Sequence, residues 1–169
     1  ARTFQINQLF RGLTVLENVV LAIAERQGIA SSMFRPLSSY SEVTDEAMEL
    51  LGNFELNEDA LRRIDELPYG RQRLVEIVIA LGQRPSVLLL DEPAAGIPSS
   101  ESQHILDAAS ALSSDITVLI IEHDMEIVFS VADYITVLVS GAVLTEGEPE
   151  VIAADKRVRA VYLGEVDRG

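Results

Sequence analysis

The stretch VLLLDEPAAG, residues 87–96, decides how the rest of the chain is read. Val87, Leu88, Leu89 and Leu90 form an unbroken apolar run, the pattern of a strand buried on both faces, since a half-buried strand would alternate polar and apolar residues. Two adjacent carboxylates, Asp91 and Glu92, follow it, and Pro93 stops the strand. Open α/β sheets bind their ligands at the carboxyl ends of parallel strands, so acids in this position suit a metal ion and a water nucleophile. Taken alone, the pair also fits a solvated strand end. The surrounding chain decides between the two.

Downstream of Glu92 the spacing predicts a helix near 99–113, a strand over 116–121 and a helix near 124–132, which is βαβ logic with a parallel sheet. YITVLVSGAVLTEG, residues 134–147, reads as two strands joined at Ser140 and Gly141, and the tail as two short helices. Upstream the pattern is helical. Thr14 and Glu17 have capping-box spacing, and Leu16, Val19, Val20 and Ile23 carry a helix toward Gly28. Residues 29–41, IASSMFRPLSSYS, have no period and read as a loop, and a second helix runs from about Glu42 to Gly52. After Gly70 a third helix places Leu74, Ile77, Val78 and Leu81 on one stripe, ended by Gly82 and Pro85.

Composition narrows the function. At 169 residues and 48% hydrophobic, the chain can build one domain with a real core, or a core with a small helical appendage. A formal charge of −14 with 13 basic residues argues against nucleic acid and against an anionic lipid surface. The absence of cysteine removes disulfides, thiol catalysis and thiolate metal sites, and points to a reducing compartment. No apolar run approaches membrane-spanning length and no signal peptide opens the sequence, so membrane association is expected through a protein partner.

The chemistry then takes shape around the acids. Magnesium bound to a triphosphate wants oxygen ligands and keeps several waters, so a single carboxylate such as Asp91 can hold it through water. Glu92 would orient the attacking water. The strand ITVLII runs into Glu122, His123 and Asp124, which places an imidazole at a strand end parallel to that of Glu92, able to donate to a γ-phosphate oxygen. A lone histidine is also commonly structural, and spacing leaves both readings of His123 open. The other histidine, His104, lies within a predicted helix without such a setting.

Together these pieces resemble the nucleotide-binding subunit of an ABC transporter, over nearly the whole chain. VLLLDEP resembles the Walker B segment and IIEHDM the switch-histidine segment. LPYGRQR, residues 67–73, stands where that family carries its Leu-Ser-Gly-Gly-Gln signature, and ARTFQ, ending at Gln5, resembles the Q-loop. The wording of ARTFQ, of LTVLENV at residues 13–19 and of the closing VYLGE is especially similar to the ATPases of branched-chain amino acid importers. The resemblance implies an α/β fold, a partial P-loop ABC ATPase fold: an incomplete RecA-like core with a mainly parallel sheet, plus a helical signature subdomain. It divides the chain into a Q-loop segment (1–11), a helical subdomain ending in the signature (12–70), a partial RecA-like core (71–150) and a helical tail (151–169).

The roles it implies are specific. Gln5 and Asp91 would bind Mg²⁺, with Gln5 also reporting nucleotide state to the membrane subunit. Glu92 would be the general base and His123 the contact to the γ-phosphate of ATP. Tyr69, Gly70 and Arg71 would meet the nucleotide held by a second ATP-binding subunit, Gly70 through its amide at a helix start. Partners would be transmembrane permease subunits, a second ATP-binding subunit as homo- or heterodimer and, indirectly, a periplasmic or extracellular binding protein, at the cytoplasmic face of the cell membrane. Branched-chain amino acids are the expected cargo, with urea or another amide or amino acid as alternatives.

The sequence also departs from the pattern. Pro68 replaces the signature Ser, Tyr69 the first Gly and Arg71 the Gln, while Pro98 replaces an Asn of the D-loop. No Gly-x-x-x-x-Gly-Lys-Ser/Thr occurs, and the single lysine, Lys156, is followed by Arg157. The expectation is therefore a C-terminal fragment, inactive alone, holding no ATP or Mg²⁺ by itself, and self-associating through exposed strands. A non-enzymatic regulator or interaction module of an ABC transporter is the alternative. A chromosome-maintenance ATPase is disfavoured because residues 12–66 lack heptad coiled coils.

Overall fold

A computed structural model describes residues 9–29, 41–97 and 115–163, together with Ile105 and Ala109. The chain forms two compact units, Ala1–Ile121 and Glu122–Gly169.

In the first unit, α1 (Val15–Arg26) starts on the expected capping box. Thr14 Oγ1 accepts from the Glu17 amide at 3.2 Å, and Glu17 Oε2 accepts from the Thr14 amide at 2.7 Å. Buried Asn18 holds the approach to this helix: its amide group donates to the carbonyls of Phe10 and Thr14 and accepts from the Phe10 N–H at 2.9 Å. α2 (Ser41–Asn53) ends in a Schellman motif, with Leu56 N–H on the Leu51 carbonyl and Glu55 N–H on that of Gly52. Glu55 takes the left-handed position, φ 55°, that glycine usually fills. Two 3₁₀ turns, Asn57–Asp59 and Ile64–Glu66, lead to α3 (Tyr69–Gly82).

These helices share one core with the sheet: Val19, Ile23, Leu51, Leu56, Ile64, Val75, Val78, Leu88 and Leu90 are all buried in it. Ile105 and Ala109, in helical conformation, join that core, while the remainder of the expected helix near 99–113 lies outside the described residues. At one end of the helical layer Glu46 accepts from both terminal guanidinium nitrogens of Arg26, at 2.9 and 2.7 Å, and from two nitrogens of Arg84, at 3.2 and 2.8 Å. Arg26 also donates to the Gly82 carbonyl at 2.8 Å, so one charged cluster ties α1, α2 and the end of α3 together.

β1 (Val87–Asp91) and β2 (Thr117–Ile121) pair in parallel, as expected, with Leu88 opposite Val118 and Leu90 opposite Ile120. The reading of β1 as buried on both faces is not met. Leu88 and Leu90 are buried against the helices, whereas Val87, Leu119 and Ile121 on the other face are 43%, 53% and 54% exposed. An unbroken apolar run reports that both faces are fit to be covered; among the described residues only the helical side covers one.

The second unit follows the sequence pattern closely. α4 (Met125–Val131) is capped by Asp124, whose carboxylate accepts the Glu126 amide at 2.9 Å. β3 (Ile135–Val139) and β4 (Ala142–Gly147) form the expected antiparallel hairpin, turning at Ser140 and Gly141, both with positive φ as a tight two-residue turn requires. α5 (Pro149–Ala154), α6 (Lys156–Val158) and a π-helical turn (Arg159–Leu163) complete it. Ile135, Val137, Ile152 and Val158 form its core.

Candidate functional site

Parallel pairing sets the position of the two acids. Asp91 ends β1 opposite Ile121, and the Glu92 N–H donates to the Ile121 carbonyl at 2.9 Å, extending the ladder by one residue. Glu92 adopts φ 45°, a left-handed conformation uncommon for a residue with a side chain, so the chain breaks direction at this carboxylate. A turn follows at once, with the Ala95 N–H on the Glu92 carbonyl at 3.1 Å, and then Gly96 at φ 73°. Asp91 and Glu92 are both half-buried at this sheet end. Among the described residues no three His, Asp or Glu side chains cluster as a metal cage. One carboxylate at a strand end fits a cation that draws its other ligands from phosphate and water, which is the habit of Mg²⁺ with a nucleotide.

His123 follows β2 by two residues and belongs to the second unit. Its imidazole is 74% exposed, with Nδ1 4.0 Å from Glu122 Oε2, so the ring is presented to solvent rather than used as a core residue. The structure thus brings Asp91 and Glu92 together in one unit and places His123 at the head of the other. Gln5 and Pro98 lie outside the described residues.

The segment LPYGRQR forms the start of α3. Pro68 is the N-cap residue, with φ −55° and ψ 151°, and offers no side-chain acceptor. The Gln72 N–H donates to the Pro68 carbonyl at 3.1 Å, and the Gln72 side chain closes the turn on the Leu67 carbonyl at 2.9 Å. Gly70 is buried in this first turn, whose leading amides have no acceptor within the helix. The Tyr69 ring stands over Arg73, 5.5 Å from ring centroid to guanidinium carbon, and Arg73 in turn pairs with Glu76 at 2.8 Å.

Arg71, expected at a nucleotide, bonds within the chain: its Nη1 donates to the Glu55 carbonyl at 2.8 Å and to Asp59 Oδ2 at 3.0 Å. The sequence reading missed Asp59. Its only signal was an acid in a polar run two residues before the Leu61–Arg62–Arg63 step, which no periodicity distinguishes from surface charge.

Residues 1–95 match the ABC transporter family, and residues 142–168 match the branched-chain amino acid ATP-binding cassette transporter family. The high-affinity branched-chain amino acid transport ATP-binding protein LivG of Escherichia coli (strain K12) is 38% identical over 173 residues, covering 97% of this chain and 67% of LivG. BraF of Pseudomonas aeruginosa, of the same description, is also 38% identical with the same coverage. Two solved ATP-binding cassettes of ABC transporters superpose well. One in its ADP conformation has a TM-score of 0.76 at 31% identity, and a nucleotide-free one a TM-score of 0.76 at 30% identity; each covers 98% of this chain, which spans 68% of theirs.

Proposed function

The chain belongs to the ATP-binding proteins of ABC transporters, and from that premise we propose that its residues serve ATP hydrolysis in an importer of branched-chain or related amino acids. The observation that carries the reading is the pair Asp91–Glu92 at the carboxyl end of a parallel strand, with Glu92 on the last rung of the ladder in a left-handed conformation. Mg²⁺-ATP supplies the phosphoanhydride and the charge-neutralising cation. Asp91 would hold the cation by a carboxylate oxygen. Glu92 orients the attacking water and takes its proton, a contribution of about 10² to 10⁴ in rate for a positioned base. By the family resemblance, His123 would donate to the γ-phosphoryl oxygens, and Gln5 would add a ligand to that cation and sense nucleotide. Tyr69 and Gly70 present the first turn of α3 to a nucleotide held by a second ATP-binding subunit, where the helix start favours an anion. Permease subunits provide the membrane path, with the ATPase peripheral on the inner face; among the described residues no helix is long and apolar enough to cross a membrane.

The 169 residues contain no phosphate-loop sequence, and their one lysine, Lys156, sits in the short α6 of the second unit. Without backbone amides to cradle the phosphates, the chain by itself neither binds nor turns over nucleotide. Calorimetric titration of the 169-residue chain with Mg-ATP tests this. No saturable heat at micromolar nucleotide is expected, and a one-to-one isotherm would overturn the claim that nucleotide binding needs a phosphate loop.

A further inference from the structure

We infer that Asp59 is a positioning residue for the first turn of α3, acting through Arg71, and that Arg71 serves this turn from inside the chain instead of contacting a nucleotide. The inference rests on the reading of residues 67–73 as the nucleotide-facing signature. Asp59 is 5% exposed and lies in the 3₁₀ turn Asn57–Asp59. One of its oxygens accepts from Arg62 at 2.8 Å and the other from Arg71 at 3.0 Å. The same Arg71 nitrogen donates at 2.8 Å to the carbonyl of Glu55, the left-handed residue that closes α2. Two acceptors from two elements therefore converge on one side chain in the first turn of α3, one residue after Gly70.

Charge explains why the pair belongs together. A guanidinium at position 71, where the resembled signature carries a neutral Gln, needs a counter-charge if it is to be held against the helical layer, and buried Asp59 provides it. The segment just beyond Asp59 is stitched in turn to the start of α1: the Leu16 amide donates to the Ala60 carbonyl at 2.9 Å, Val15 to Arg62 at 3.0 Å, and Ile64 to Leu13 at 3.2 Å. The direction in which the amides of the first turn of α3 point is thus set by Asp59 from a frame that also holds Leu13, Val15 and Leu16.

Amide hydrogen exchange on the whole 169-residue chain tests this without any nucleotide, so a failure of the ATPase reading leaves the result interpretable. The probe is the Gln72 N–H, bonded to the Pro68 carbonyl, with the amides of β3 in the other unit as the internal reference. Arg71→Gln and Asp59→Asn are each expected to speed exchange at Gln72 by about fivefold or more, and the double variant no further, because the two act through one interaction. Arg71→Lys keeps a cation with three donors and should stay within about twofold of the parent. Unchanged exchange in Arg71→Gln, or additive effects in the double variant, would overturn the inference. Should Asp59→Asn fail to fold, the contrast between Gln and Lys at Arg71, whose side chain is 41% exposed, decides the matter.

Discussion

Tyr69 stands against Gly96: a methyl group on Gly96 would lie 4.0 Å from Tyr69 Cε1. The first turn of α3 and the loop that follows Asp91 and Glu92, well separated in sequence, therefore meet within one unit. At 4.0 Å the added methyl makes ordinary contact, so space does not forbid alanine. The backbone does, because Gly96 has φ 73°. Gly96→Ala should lower unfolding free energy by about 1–2 kcal/mol, the cost of a left-handed L-residue. Urea denaturation checks this; an unchanged midpoint would show that the loop relaxes freely.

Glu55 presents the opposite case. It occupies the left-handed closing position of α2 with a side chain attached, while its carbonyl serves Arg71. Glu55→Gly removes the left-handed strain and keeps the carbonyl, at the expense of a more flexible unfolded chain. A net change of about 0 to 1 kcal/mol toward greater stability is expected, read from the thermal midpoint. A clear loss would mean that the Glu55 carboxylate has a stabilising role of its own.

The Arg26–Glu46–Arg84 cluster makes the first unit acid-sensitive. Hydrogen bonding from Arg26, joined by Arg84, holds the Glu46 carboxyl below its ordinary value of 4.5. A carboxyl with a depressed folded-state pKa contributes stability that is fully present above the unfolded value and is lost as pH falls through the folded one. Glu46→Gln should weaken the first unit by about 1–3 kcal/mol at neutral pH and flatten the loss below pH 4.5. In the second unit Asp155, bonded by Arg157, is lowered to about 2, so its contribution persists to more acid conditions than that of an unpaired carboxyl. Melting curves across this range, following each unit separately, check both; identical acid profiles for parent and Glu46→Gln would contradict the assignment.

The open face of β1 and β2 bears on association. Val87, Leu119 and Ile121 are about half exposed on one side of the two-stranded sheet. An exposed apolar face of this kind invites association. The 169-residue chain is expected to self-associate, with Leu119→Lys shifting it toward monomer. Sedimentation at several concentrations measures this; a compact monomer throughout would count against it.

Helices and strands were legible wherever a local signal set them. The Thr14–Glu17 box, the stripe through Val78 and Leu81, and the Ser140–Gly141 turn all stand where their patterns put them. Side chains whose role depends on distant partners were not. Nothing near Asp59 announces Arg71, and nothing in the apolar run 87–90 tells which face is covered, because both are settled by packing between elements far apart in sequence. The motif at 67–73 was legible as a segment, but the inward turn of Arg71 could be seen only with Glu55 and Asp59 in place.

The central claim is that Glu92 acts as the base in ATP hydrolysis. The most direct measurement is ATP turnover by a polypeptide carrying these residues joined to a phosphate loop, compared with its Glu92→Gln form, alongside Mg-ATP binding to each. Turnover is expected to fall by about 10² or more with nucleotide binding retained, since only the base is removed. Turnover that survives Glu92→Gln with binding intact would contradict it.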